Sequence, residues 1–420
     1  MSKTYTQYVD SGVSWLGRIP AGWTTKPLWS MFERIKDVGH PDEQMLSVFR
    51  DYGVVAKDSR DNLNKTAENR NIYQLVHPGW LVTNRMKAWQ GSVGISGLRG
   101  IVSGHYICFA PRHDADSRYL NWLFRSAAYT AGYALQSRGV RIGQAEIDND
   151  LYRAMPVLLP PIDEQRNIAD YLDRETTRVD TLIEEQQRLI EMLRERRDSV
   201  WAACVEEARH LGRPAAVRRV IESIVDGPFG SSLTSAHYSD EGARVIRLGN
   251  IGVNEFKNGD AAFIPLDYAK KLEAHTVAQG DVVVAGLGDD KMPLGRAAVV
   301  PAALGPAIVK ADCYRLRPNE RVGAGYLAWV MSAPQTRSQI MMLARGSTRA
   351  RLNTRVVQQV EIPLPGRDTQ DALVARSNAE TANIDRLIAE SERFVELARE
   401  RRAALITAAV TGQIDVRDIS

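Results

Sequence analysis

The sequence predicts an α+β protein in which two mixed α/β domains alternate with two long helices. Three observations lead there: a stretch written twice at a fixed offset, charges segregated into blocks, and apolar residues whose period changes from block to block. At 420 residues the chain exceeds what one ordinary core serves, so several domains are expected. A formal net charge of +3 conceals the segregation. Residues 1–162 carry net +5, residues 163–208 net −6, residues 209–367 net +7 and residues 368–420 net −3. Two basic blocks that suit a polyanion therefore alternate with two acidic ones that face something else.

The first block (1–162) opens with "VSWLGRIPAGWTTKPL" and continues through the strand-like runs "GWLVTNRM" and "GIVSGHYICFAP". A short helix is expected over Ser117–Tyr133, with Leu120, Leu123 and Phe124 on one face. The second basic block (209–367) repeats the plan with "ARVIRLGNI", "GDVVVAGLG" and "AAVVP", then a short helix over Gly325–Leu343. Each block next passes an Arg-Gly turn, "QSRGVRIG" or "ARGSTRARLN", and ends in a proline-rich run. Both read as domains of about 150 residues with twisted, largely antiparallel sheets.

The acidic blocks (163–208 and 368–420) read as helices. Shifted by 205 positions, Asp180 falls on Asp385, Leu182 on Leu387, Glu191 on Glu396, and Arg194–Arg197 on Arg399–Arg402. The offset holds without a gap from Val157 and Ile362 to Val205 and Val410, which marks an internal duplication. Proline cannot continue a helix, so each helix should begin just after "MPVLLPP" or "VEIPLP", with Asp163 and Asp368 as N-caps. Both should run about 45 residues. Ile168, Leu172, Val179, Leu182, Leu189, Leu193 and Val200 in one, and Leu373, Ile384, Leu387, Phe394 and Leu405 in the other, form a seam of coiled-coil period. A second edge (Ile183, Ile190, Trp201; Ile388, Val395, Ile406) makes each stripe wider than one packing partner needs.

Groups that could touch a nucleic acid cluster in the basic blocks. "TNRMKAWQGSVG" offers Arg85, Lys87, Gln90 and Ser92, and the first Arg-Gly turn adds Arg138 and Arg141. The second block offers Ser231 and Ser232 after a Gly-Pro turn, Arg247 and Asn250, Lys291 and Arg296, then Arg345, Arg349 and Arg351. Arg and Lys suit guanine edges and phosphates, and Asn and Gln suit adenine edges.

A search for catalytic chemistry is negative. There is no P-loop, no HExxH, no GxSxG and no metal-like His spacing. "LPPID" has prolines but lacks the flanking polar and aromatic residues of an amino-methyltransferase motif. Asp226, Glu255 and Lys257 are the nearest approach to a nuclease cluster. Cys108, Cys204 and Cys313 are scattered and read as buried thiols of a reducing cytoplasm. No run approaches 18 apolar residues and the N-terminus has no apolar signal core, so a cytoplasmic location is expected.

"SGVSWLGRIPAGW", "NRMKAWQGSVG", "GIVSGHY", "LLPPIDEQRNIADYLD", "DGPFGSSL", "VIRLGNI" and "ITAAVTGQID" stand in order along nearly the whole chain. In these stretches the chain resembles the specificity subunit of a type I restriction-modification enzyme. The resemblance implies two target recognition domains, each reading one half of a bipartite DNA site. It implies that the helices form an antiparallel coiled coil in a pseudo-two-fold repeat, spacing the domains and docking two modification (methyltransferase) subunits. Restriction (translocase/nuclease) subunits would join them. It implies no catalysis and no cofactor on this chain, with S-adenosylmethionine, ATP and magnesium on the partners.

Two other readings remain open from the residues: a coiled-coil scaffold that reads no DNA, and a DNA methyltransferase or nuclease with its own site. A salt titration separates the scaffold. If phosphates are engaged, DNA affinity measured by fluorescence anisotropy falls linearly with log[salt], whereas flat binding selects the scaffold.

Overall fold

The computed structural model describes residues 4–59, 69–139, 145–289, 292–344 and 351–417. They form two compact units. One comprises Met1–Gln187 with Arg393–Ser420, and the other Arg188–Glu392. Each unit thus takes one basic block and half of each long helix.

In the first unit a four-stranded antiparallel sheet is ordered Phe32–Ile35, Tyr106–Pro111, Leu81–Asn84, Val93–Ile95. The second unit repeats that order with Ile221–Val225, Cys313–Pro318, Val282–Ala285 and Ala297–Val299. It adds a second sheet with one parallel pairing, Ala243–Ile246 against Ala307–Val309. The shared frame is therefore largely antiparallel, as the short, turn-punctuated strand runs indicated.

The two short helices each come out as a pair. Ser117–Arg125 is followed by Ala127–Leu135, and Ala324–Ser332 by Pro334–Leu343. The single helices expected over Ser117–Tyr133 and Gly325–Leu343 are thus broken at equivalent places. In the first, the Ser126 hydroxyl caps Tyr129 N and so ends one helix while starting the next. In the second, Pro334 has no N–H to continue the ladder.

The proline runs are strands. Pro156–Leu159 pairs with Thr24–Pro27, and Glu361–Leu364 with Arg213–Ala216. From them rise the long helices Ile162–Leu211 and Arg367–Val410, of 50 and 44 residues. Both begin one residue before the expected caps. Asp163 and Asp368 consequently lie inside the first turn, where a carboxylate still suits the positive end of the helix dipole.

One side chain repeats its role at both junctions. Buried Gln165 donates to Pro160 O (2.8 Å) and accepts from Asp116 N (2.9 Å), at the start of the short helix. Buried Gln370 donates to Pro365 O (2.9 Å) and accepts from Gly323 N (2.8 Å). Tyr119 Oη donates to Leu158 O (3.1 Å) and Tyr326 Oη to Pro363 O (2.9 Å) in the same way. Behind these bonds, Ile168 and Leu172 enter the first core and Leu373 enters the second.

Within each unit the two helix segments lie antiparallel. In the second, Arg376 pairs with Glu207, Arg197 with Asp385 (3.1 Å), and Arg194 with Glu392 (2.8 Å). In the first, Arg402 pairs with Asp180 (2.8 Å), which is the Arg197–Asp385 pair written again 205 positions away.

The expected seam is buried where each helix leaves its domain, at Ile168, Leu172 and Leu373, and farther along it exchanges roles with the second edge. Ile183, Ile190, Trp201, Ile388, Val395 and Ile406 are the buried line, and Leu193 and Leu405 are half-buried beside it. Leu182, Leu189, Leu387 and Phe394, assigned to the seam, are exposed. The reason is rotational. Ile168, Leu172 and Thr176 are fixed against the domain core, and the same line continues to Ile183 and Ile190. Leu182 and Leu189 sit one residue, or about 100°, off it.

The termini of the chain meet in the first unit. The hairpin Tyr8–Asp10/Arg18–Pro20 receives the C-terminal tail, with Tyr8 Oη donating to Gly412 O (2.9 Å). Gly412 has φ +73°, and a Cβ there would stand 2.3 Å from Pro20 Cγ. The early "GRIPAGW" and late "AVTGQID" stretches are thus one packing unit.

Replacing Gln165 or Gln370 by Leu strands a buried carbonyl and a buried N–H. Each change should destabilise its unit by about 1–3 kcal/mol, read as a lowered urea midpoint. Unchanged midpoints would show that the glutamines are dispensable.

Candidate nucleic-acid interface

In the first unit the turn after strand Leu81–Asn84 is built by its own side chains. Asn84 Oδ1 accepts from Met86 N (3.1 Å), and Trp89 Nε1 donates to Met86 O (3.1 Å). Gly91 ends the short 3₁₀ turn at φ +90°, open to glycine without strain. Trp89 is therefore the half-buried brace of the turn, while Lys87 and Gln90 project into solvent. Ser92 is buried, so the expectation that it faces a ligand does not hold.

Arg85 pairs with Glu146, and its carbonyl accepts from Ile147 N (3.1 Å). Arg138 pairs with Asp148 (3.3 Å) and lies in a two-residue strand opposite Glu146–Ile147. Arg141 falls outside the described residues. Exposed Arg50, which no sequence signal singled out, is brought beside the turn, its Cγ 3.4 Å from a Cβ placed on Gly91.

The second unit assembles the matching sheet end differently. Leu352 N donates to Gly286 O (2.9 Å), the counterpart of the Ile147–Arg85 bond. Both segments that follow the paired short helices thus return to the same turn. Arg351 lies over the exposed Phe229 ring (5.8 Å) and pairs with Asp312 (2.8 Å). Ser231 and Ser232 are exposed on the loop that carries Phe229. That loop is set by Gly227, where a Cβ would stand 2.0 Å from the Lys310 carbonyl carbon. Lys310, also unremarked in the sequence, sits 5.9 Å from the centre of the Tyr238 ring.

Two expected ligand-facing residues are internal instead. Asn250 is fully buried. It accepts from Arg247 N (2.9 Å) and donates to Lys257 O (3.0 Å) and Gly259 O (2.9 Å). Arg296 is buried and ties loops through Ile251 O (2.6 Å), Leu248 O (3.0 Å) and Leu287 O (2.9 Å). In sequence both look like surface readers, because nothing local reveals which loop will close over them. Arg247 is half-buried and paired with Asp260. Lys291, Arg345 and Arg349 lie outside the described residues.

The nuclease-like trio has structural duties. Asp226 accepts from Gly227 N (2.7 Å) and Asp312 N (3.0 Å), and burial raises its pKa. Glu255 is exposed in a hairpin turn, and Lys257 N donates to Asn250 O (2.8 Å). Among the described residues no His/Cys/Asp/Glu group could hold a metal ion, and no helix is long and apolar enough to cross a membrane. Burial pushes the Cys108 and Cys313 thiols up to about 12, which keeps them protonated and inert at neutral pH.

No protein-family model matches the chain. It is 21% identical over 351 residues to the type I restriction enzyme MjaVIII specificity subunit of Methanocaldococcus jannaschii, covering 79% of each chain. It is 24% identical over 178 residues to the StySPI specificity subunit of Salmonella potsdam, covering 42% of this chain and 38% of that one. One solved chain comes from a structural study of complex assembly and conformational transition of the type I R-M system. It shares the fold at a TM-score of 0.64 and 14% identity, over 93% of this chain and 98% of its own. The chain is a relative of the type I restriction enzyme specificity subunits, the family its motifs resemble.

Proposed function

We propose that this chain is the DNA sequence-recognition subunit of a type I restriction-modification complex. Each unit reads one half of a bipartite site through the sheet end described above. The paired helices set the gap between half-sites and dock two methyltransferase subunits. In this reading the chain is non-catalytic. Adenine methylation and restriction, with their S-adenosylmethionine, ATP and magnesium, belong to partner subunits.

One observation carries the reading: what repeats and what does not. Three exposed apolar residues along each long helix repeat position for position. Leu182 and Leu387 are 46% and 45% exposed, Leu189 and Phe394 37% and 42%, and Met192 and Leu397 59% and 46%. Each residue lies 205 positions from its counterpart. Two alike apolar faces suit two copies of one partner. The ligand-facing loops do not repeat. Arg50, Arg85, Lys87, Gln90 and Arg138 stand at one sheet end, and Phe229, Ser231, Ser232, Lys310 and Arg351 at the other. Unlike loops on a common frame suit two unlike half-sites, with basic groups holding phosphates and a few polar tips at base edges.

Two measurements test this. Lys87→Ala should weaken binding to all duplexes and reduce the slope of log affinity against log[salt] by about 1. Asn250→Ala should instead lower the unfolding midpoint by stranding buried carbonyls. The opposite pattern would exclude the assigned surface. Inserting four residues in register into both long helices adds roughly 6 Å of rise. Sequencing of methylated adenines in a host carrying chain and partner should then show unchanged half-sites and a gap wider by one or two base pairs. Altered half-sites with the original gap would count against spacing by the helices.

A further inference from the structure

At the sheet end of the second unit three segments meet on one residue. Gly286 N donates to Asp312 O (2.7 Å), and Gly286 O accepts from Leu352 N (2.9 Å). In the first unit Arg85 holds that place. Its N–H donates to His105 O (3.0 Å), and its carbonyl accepts from Ile147 N (3.1 Å). Arg85, His105 and Glu146 are therefore the counterparts of Gly286, Asp312 and Arg351. Each trio contains one arginine and one carboxylate, at different positions, and in each the two pair. Arg85 pairs with Glu146 in the first unit, and Arg351 with Asp312 (2.8 Å) in the second. The pair recurs although its members have changed segments.

The second pair is held from several sides. Asp312 has φ +65°, a left-handed backbone that aspartate and asparagine accept better than most side chains. Its N–H donates to Asp226 Oδ1 (3.0 Å), which also accepts from Gly227 N (2.7 Å). The loop that Gly227 opens carries Phe229, whose ring centre lies 5.8 Å from the Arg351 guanidinium. Asp312 accepts from Nε of Arg351 (2.8 Å), while Nη1 and Nη2 bond to none of the described residues. The guanidinium is thus fixed along one edge and over one face, and its terminal N–H groups stay open. Arg351 is 51% exposed and Asp312 only 15%, so a ligand reaches the arginine before the acid.

We propose that Arg351 reads a guanine in the half-site of the second unit, with Asp312 as its positioning residue. This rests on the recognition function proposed above and names the base that one side chain selects. Two groups in DNA accept a pair of parallel N–H donors: a phosphate and a guanine edge. A phosphate calls for net positive charge, and Asp312 already answers that of Arg351. Guanine is uncharged, and it alone shows two acceptors, O6 and N7, side by side in the major groove. Adenine sets an amino donor beside N7 and would meet Arg351 donor to donor. An arginine with its charge answered and its fork open therefore suits guanine.

The methylated motif of a host carrying this chain and its partner supplies the test duplexes. Each guanine is replaced in turn by 7-deazaguanine, which lacks N7 and still pairs. Fluorescence anisotropy then follows binding by the chain assembled with its methyltransferase partner. One such change in one half-site should cost the unsubstituted chain about tenfold in affinity. Arg351→Ala combined with Asp312→Asn leaves the net charge unaltered. That double variant should bind the natural and modified duplexes alike at that position, with the slope of log affinity against log[salt] unmoved. Asp312→Asn alone keeps a side chain that accepts the same backbone, and frees the charge of Arg351. Its binding to unrelated duplexes should steepen in salt by about 1, while discrimination at that guanine falls. Unfolding midpoints check that both variants are folded. Discrimination in the double variant equal to that of the unsubstituted chain at every guanine overturns the proposal. So does a slope lowered by about 1, which makes Arg351 a phosphate contact, or a motif with no guanine in either half-site. Unchanged slope and unchanged discrimination in Asp312→Asn overturn its positioning role. Binding by the unsubstituted chain that ignores salt removes the recognition function itself, and this assignment with it.

Discussion

The buried glutamine at each domain–helix junction is the constraint from which the rest of the architecture follows. A strand that ends in prolines and turns into a helix leaves a carbonyl and the first N–H of a neighbouring helix facing each other in the interior. Only a side chain with both a donor and an acceptor on one planar group can satisfy the two at once. Gln165 and Gln370 do this with nearly equal distances. A carboxylate would lack the donor, and an aliphatic chain would lack both. The bond fixes where each long helix starts and how it is rotated. Rotation in turn decides that Ile183 and Ile388 face inward while Leu182 and Leu387 face out.

The ion pairs along the helices act on register more than on stability. Arg402–Asp180 and Arg197–Asp385 are partly exposed, and such pairs contribute about 0–1 kcal/mol each. Their value lies in position. Because the sequence places the same acid and base at the same offset, each matches only when the segments run antiparallel, and slipping one helix breaks every pair in its unit. Burial of Ile, Val and Trp along the inner line supplies the larger energy.

Duplication also explains where the two units part. Core positions and junctions tolerate little change, since a lost hydrogen bond or methylene is felt throughout a close-packed interior. Loops at the sheet end carry no such restriction. The first unit braces its turn with Trp89, while the second pins its turn with the buried guanidinium of Arg296.

The sequence by itself determined the duplication, the alternation of basic domains with acidic helices, the helix starts to within one residue, and the strand runs. Proline punctuation, a fixed offset and charge sign are local or periodic signals, and they survive without coordinates. Tertiary structure alone decided which of two adjacent apolar edges is buried, because one residue is about 100° of helix and the rotation is set where the junction glutamine, Ile168 and Leu172 meet the domain core. It alone turned Ser92, Asn250 and Arg296 inward, and brought Arg50 beside the turn at Gly91 in the first unit and Lys310 beside Tyr238 in the second. A polar residue in a glycine-rich loop looks the same whether it will meet a ligand or a backbone carbonyl. Only the path of the chain around it makes the choice.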